Sequence, residues 1–172
     1  MRYPLIFITT ILLASCTSTY KRIDVTDVPH LKLNPQGKVL IVTSKDGRYN
    51  DIDYPGSGTM TSQAIKAAFD GHSNFVSITS DCKSIDSCLI EAKRSGDSYL
   101  VSPEILHWEE RASILSGLPD RIEVKITILS VDNGKVIHST IIAGKSQLAT
   151  FRKVRPQDLL PQPINEYVSI FY

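Results

Sequence analysis

Apolar residues fall along this chain in distinct rhythms, and each rhythm predicts a different element. Val39-Leu40-Ile41-Val42, entered from Lys38, is an unbroken apolar run of the kind that forms a central strand covered on both faces. A polar, glycine-bearing loop from Asp46 to Gly58 follows. Ala64, Ile65, Ala68 and Phe69 then recur at helical spacing, with Thr59 or Thr61 as N-cap and Gly71 as the stop. Phe75-Val76-Ser77-Ile78 predicts a second strand. Ser84 caps a second helix, in which Ile85, Cys88, Leu89 and Ala92 share a face, Lys93 and Arg94 fill the last turn and Gly96 lies just beyond. Tyr99-Leu100-Val101 opens a third strand that can run on to Trp108.

After Pro119 the rhythm becomes strict alternation. Ile122, Val124, Ile126 and Ile128 interleave with Glu123, Lys125 and Thr127, so one face of this strand is buried and the other is wet. Asp132-Asn133-Gly134-Lys135 predicts a hairpin with a type I′ turn, both central residues at positive φ. Val136 to Ala143 returns as its partner, and Ile164, Tyr167, Val168 and Phe171 mark a C-terminal helix docked on the sheet. The order β-α-β-α-β-β-β-α predicts an α/β (α+β) fold, a mixed sheet of about five strands with helices packed on it. Its early part is parallel and its later part a meander.

The first apolar run has another purpose. Leu5 to Leu13 follows the basic Arg2, has the length of a secretory h-region and is too short to span a bilayer. It closes in Leu13-Ala14-Ser15-Cys16, which resembles the bacterial lipobox. An ordinary signal peptide with an incidental Cys is the other reading. The resemblance implies a signal peptide over residues 1–15, cleavage before Cys16, and a thioether-linked diacylglycerol and an N-acyl chain on Cys16. Two or three acyl chains make such anchoring stable. With Thr17 rather than Asp after the Cys, the sorting pattern of Gram-negative lipoproteins implies the periplasmic face of the outer membrane. Thr17 to Gly37 holds Pro29 and Pro35 and no periodicity. It reads as a flexible linker behind the lipidated Cys (16–37), with an extended reach of about 65 Å, before a single periplasmic domain over 38–172.

Charge and cysteines narrow the function. Lys and Arg number 19 against 18 Asp and Glu; removing residues 1–15 deletes Arg2 and no acid, leaving 18 of each sign. A neutral chain without a large basic cluster argues against a nucleic-acid partner. Cys82 and Cys88, six apart in an oxidising compartment, read as a disulfide, because no C-x2-C spacing or companion His set suggests a metal.

Ser98-Tyr99-Leu100-Val101, Ile105-Leu106-His107-Trp108-Glu109-Glu110-Arg111 and Ser116-Gly117-Leu118-Pro119-Asp120-Arg121 together resemble a family of Gram-negative lipoproteins known as a domain of unknown function. The likeness spans most of 38–172, including Gly144-Lys145-Ser146 and Asp158-Leu159-Leu160. More loosely, the arrangement is similar to periplasmic modules of the curli-secretion lipoprotein and of the lipoprotein activators of penicillin-binding proteins. Neither likeness names a reaction.

Candidate chemistry concentrates in the same stretch. If the third strand persists, His107, Glu109 and Arg111 share one face and Trp108 and Glu110 the other. Trp108, Glu109, Arg111, Ser116 and Asp120 then form a candidate partner-binding surface, joined by the Asp46 to Gly58 loop, since Trp and Arg are frequent interface anchors. Alternatively Trp108 plugs the core and Arg111 pairs with Glu109 or Asp120 to pin the loop. A third option makes Glu109 or Glu110 the acid/base group of a ligand-binding or cell-wall hydrolytic domain. His107 and Glu109 supply two metal ligands, which is not a site. No phosphate loop, dinucleotide fingerprint or nucleophile elbow occurs, and nothing selects Ser57, Ser113 or Ser116 as a nucleophile. The sequence therefore predicts no cofactor, no metal and no catalytic residue. It predicts a non-enzymatic interaction or adaptor module whose partner is an envelope protein or a peptidoglycan-associated component.

Overall fold

The charged segment Thr19–Asp24 is a strand, β1, which pairs antiparallel with the last strand of the sheet. The structure, a computed structural model, describes residues 18–26, 31–111, 118–147 and 154–172. The expectation of a flexible linker is corrected over Thr19–Asp24: an edge strand needs only its backbone ladder and has no apolar stripe to betray it. Leu33 is buried, and its amide donates to the Phe171 carbonyl at 2.9 Å. Residues 1–17, including Cys16, lie outside the described residues.

The remaining strands are β2 (Val39–Val42), β3 (Gly47–Tyr49), β4 (Ile52–Tyr54), β5 (Val76–Thr79), β6 (Tyr99–Glu109), β7 (Arg121–Ser130) and β8 (Val136–Lys145). The helices are α1 (Ser57–Asp70), α2 (Ile85–Ser95) and α3 (Pro161–Ser169), the last preceded by a 3₁₀ turn over Pro156–Leu159. Six strands form one mixed sheet in the order β1-β8-β7-β6-β2-β5, and β3 and β4 form a separate hairpin. β2 is parallel to both β5 and β6, and β6, β7, β8 and β1 are antiparallel in turn. The expected mixed sheet with packed helices is present, enlarged by β1 and flanked by the separate β3–β4 hairpin.

Cover on the two faces is unequal. On one, Ile65 and Phe69 of α1, Ile164, Tyr167 and Val168 of α3, and Leu159 and Leu160 meet Val39, Ile41, Val101, Ile122, Val124, Ile126 and Ile142. On the other, Cys88 and Ala92 of α2 cover only Leu40, Leu100, Leu129 and Val131. The rest of that face, across β7, β8 and β1, carries no helix among the described residues. Cys82 and Cys88 form the disulfide that ties the β5 exit to α2, with Cα atoms 5.0 Å apart.

Local signals met different fates. Ser84 caps α2 as expected, its hydroxyl accepting from the Ser87 amide. α1 begins at Ser57 behind Gly56 with no side-chain cap, so neither Thr59 nor Thr61 is the cap; Thr61 instead donates its hydroxyl to the Ser57 carbonyl at 2.8 Å. Of Asn133 and Gly134 only Gly134 has positive φ, 68°. Together with the register shift at Ile128/Leu129, this makes a longer turn closed by one left-handed residue rather than type I′. No helix among the described residues is long and apolar enough to cross a membrane.

Candidate functional site

β6 outruns β2: its pairing with β2 ends at Val101, and the stretch from Ser102 to Glu109 pairs only with β7. Its free flank is taken by the β3–β4 hairpin, so the Asp46 to Gly58 loop and the Trp108 segment come together. A β-bulge lies between Ile105 and His107, and it decides the chemistry of this stretch. Tyr99, Val101 and Ile105 face α1 and α3. Unbroken alternation would send Trp108 to the opposite face, but the extra residue resets the parity and turns Trp108 into the main core.

Trp108 is 2% exposed. Gly47 lies flat against it, where any Cβ would come within 2.6 Å of the Trp108 Cβ, so this position tolerates no side chain without displacement. The expectation of Trp108 as a surface anchor is corrected on this ground; it plugs the core.

On the other face, a short polar ladder closes the end of the sheet. Glu109, 4% exposed, takes the Nε of Arg111 at 2.6 Å on Oε1, with an Arg111 terminal nitrogen on the same oxygen, while Oε2 meets His107 Nε2 at 3.3 Å. Burial raises the Glu109 pKa, but the hydrogen bonds and charges of Arg111 and His107 together outweigh it and hold the carboxyl below its ordinary range. Both oxygens are engaged and the group stays ionised at neutral pH. Its carboxylate ties His107 to Arg111.

The Arg111 amide donates to Asp120 Oδ1; the Asp120 amide donates to Ser146 Oγ at 2.9 Å, and the Ser146 amide returns to the Asp120 carbonyl at 3.0 Å. Asp120 and Ser146 are buried. These bonds clasp both feet of the connection between β6 and β7, and Tyr49 of β3 sets its ring edge-on to His107 with centroids 4.7 Å apart. Ser116 falls outside the described residues. Among the described residues of this connection, the outer side of Arg111, half-buried Glu110 and exposed Leu118 face solvent. Sequence reasoning missed Ser146 and Tyr49, whose partners are fixed only by the β7–β8 register and by the β3–β4 hairpin.

A second concavity lies where β2 and β5 end. The chain leaves β2 toward α1 on one face and β5 toward α2 on the other, so a cleft of about 900 Å³ opens at the strand ends, bordered by Lys45, Asp46, Arg48, Lys83, Ser84 and Glu104. Among the described residues no group of three or more His, Cys, Asp or Glu side chains is placed to hold a metal.

The architecture has solved counterparts. PelC from Paraburkholderia phytofirmans, a dodecamer, is similar with a TM-score of 0.63 and 15% identity, over 87% of this chain and 96% of that chain. Lipoprotein GNA1162 from Neisseria meningitidis gives 0.51 and 10% identity over 78% and 95%. The LpoB C-terminal domain from Salmonella enterica is more distant, at 0.45 and 14% over 68% and 87%. At such identities the likeness to the first two shows the fold alone, and that fold is the architecture expected from the looser resemblance. No curated protein matches the chain by sequence. The family likeness carried by the Trp108 and Asp120 segments is confirmed by a family model that matches residues 31–170: the chain belongs to the family described as Domain of unknown function (DUF4823).

Proposed function

We propose that this protein is a lipoprotein acylated at Cys16, held on the periplasmic face of the outer membrane, whose domain is a non-catalytic interaction module for another envelope component. One observation carries this reading: β1 begins at Thr19, three residues after Cys16, and is bonded along β8 through Asp24. Three residues reach about 10 Å. The anchor is thus a short leash on a rigid sheet edge rather than a long tether, and it fixes the orientation of the domain. β1 starts at the end of the sheet where β8 ends, β7 starts and β6 ends, so the clasped connection from Arg111 to Asp120 is presented close to the membrane. Trp108, Glu109 and Asp120 form its internal frame, and Arg111 and Leu118 its contact side. That the Neisseria structure of this fold is itself a lipoprotein supports the envelope address.

Intact mass of the protein recovered from envelope membranes tests the anchor. Acylated Cys16 as first residue is expected, and a retained leader or free Cys16 sinks that part. Photo-crosslinkers at Arg111 and Leu118 should capture one and the same envelope protein, and one at Asn133, at the far end of the sheet, should not. Capture from Asn133 alone would overturn the placement of the surface. The cleft at the ends of β2 and β5 supports a second reading, small-ligand binding; a compound that raises the melting temperature of the wild type but not of Lys45→Ala/Lys83→Ala would favour it.

A further inference from the structure

The open face of the sheet bears its charges unevenly. Thr19, Lys145 and Arg121 lie in one register row across β1, β8 and β7, and Lys21, Ala143 and Glu123 in the next row on that face. Lys21, Arg121 and Lys145 are all exposed and border a cleft of about 320 Å³. Arg22, Arg48, Lys66 and Arg111 are each paired with an acid, Asp24, Asp53, Asp70 and Glu109; this corner is set apart by three cations grouped on one cleft border. Among the described residues no acid lies within ion-pair distance of Lys21, Arg121 or Lys145. Glu123 is the exposed acid on the border of this cleft, so three cations face one anion.

Position gives this corner its meaning. Lys21 is five residues from Cys16 and Lys145 pairs with Thr19, so these three cations stand at the sheet end nearest Cys16. We infer that this β1–β8–β7 corner docks on anionic phospholipid headgroups of the leaflet that holds the anchor, the cations meeting the phosphodiesters. The inference rests on the proposed acylation of Cys16. Arg111 and Leu118 lie on the β6 side of the same end, outside the cleft border, where the proposed protein partner binds. Each basic residue at an anionic surface strengthens association about fivefold, so three contribute about a hundredfold at low salt.

Two arms test it. The acylated protein is placed in nanodiscs of phosphatidylglycerol or of phosphatidylcholine, and its lysines are acetylated. Lys21 and Lys145 should react several-fold more slowly on phosphatidylglycerol only, with Lys135 of the far hairpin unchanged. Equal reaction on both lipids overturns the inference. In the second arm the mature chain carrying Cys16→Ser is sedimented with phosphatidylglycerol vesicles. It should bind about a hundredfold more tightly than the same chain carrying Lys21→Gln, Arg121→Gln and Lys145→Gln, whose exposed substitutions leave the melting temperature unchanged. Equal binding again overturns it. The mass of Cys16 reads the anchor separately: an unacylated native protein whose chain still prefers phosphatidylglycerol vesicles sinks the anchor and keeps the headgroup surface.

Discussion

Ile41 in β2 and Ile141 in β8 are the same residue type in the same sheet, yet Ile41 has no exposed surface and Ile141 is only half-buried. β2 lies between α1 and α2, whereas the face of β8 that carries Ile141 bears no helix among the described residues. Its neighbours on that face are a hydroxyl pair, Thr127 and Ser139 at 3.1 Å, and Lys125, which stands in register with Glu104. The parallel half is therefore built to hold the fold. The antiparallel half has one face without a helix among the described residues, and its polar cross-strand pairs allow that face to stay wet without becoming an adhesive sheet.

The sharpest way to break this division is at Trp108, which belongs by sequence to the exposed end and by packing to the shared core. Trp108→Ala should cost about 3–5 kcal/mol in chemical denaturation, the range for emptying a large buried aromatic. A cost under about 1 kcal/mol would return Trp108 to the surface. The next test uses adjacent residues of β8: Ile142→Ala, facing the helices, should cost about 2–5 kcal/mol, and Ile141→Ala on the open face well under half of that. Equal costs would mean that something unseen covers the open face.

The same division explains what was legible in the sequence. β2, α2 and β7 are covered by apolar partners, and cover writes itself as runs or periodicity: Val39 to Val42 without a break, Cys88 and Ala92 on one helix face, Ile122 to Ile128 in alternation. β1 has no such record. Thr19, Lys21 and Ile23 lie on one side and Tyr20, Arg22 and Asp24 on the other; Tyr20 alone packs on the core, and the pairing with β8 is mostly backbone chemistry. The β3–β4 hairpin was hidden for a similar reason, since Gly47 packs on Trp108 by having no side chain. In the candidate site, the Glu109–Arg111 pair was visible as an option because the two residues are two apart on one strand. The bulge that puts Trp108 in the core left no residue signature, and Ser146 meets Asp120 only through a register set 26 residues away.

The disulfide sharpens the comparison from the parallel side, where Cys82 and Cys88 close a short loop between β5 and α2. Replacing both by Ser should lower stability by about 2 kcal/mol in the chain-entropy view, read as a shift in denaturant midpoint that reductant produces in the wild type and not in the variant. Failure of reductant to move the wild-type midpoint would mean that the bridge contributes nothing to that half.

The smallest effect tests the clasp where the halves meet. Glu109 is held below its ordinary pKa because Arg111 and His107 favour its charge more than burial opposes it. The native state therefore binds that proton less readily than the unfolded chain. The stabilisation is complete above the ordinary glutamate range and is lost as pH falls through the depressed folded value. Glu109→Gln keeps the shape and removes the charge; it should cost about 1–2 kcal/mol at pH 7, moderated because the Arg111 side chain is partly hydrated. Wild type and variant should converge in midpoint as the medium is acidified below pH 4. A gap that stays constant down to pH 3 would show that the Glu109 charge does not hold the β6–β7 connection, and the shape of the presented end would then rest on Asp120 and Ser146 alone.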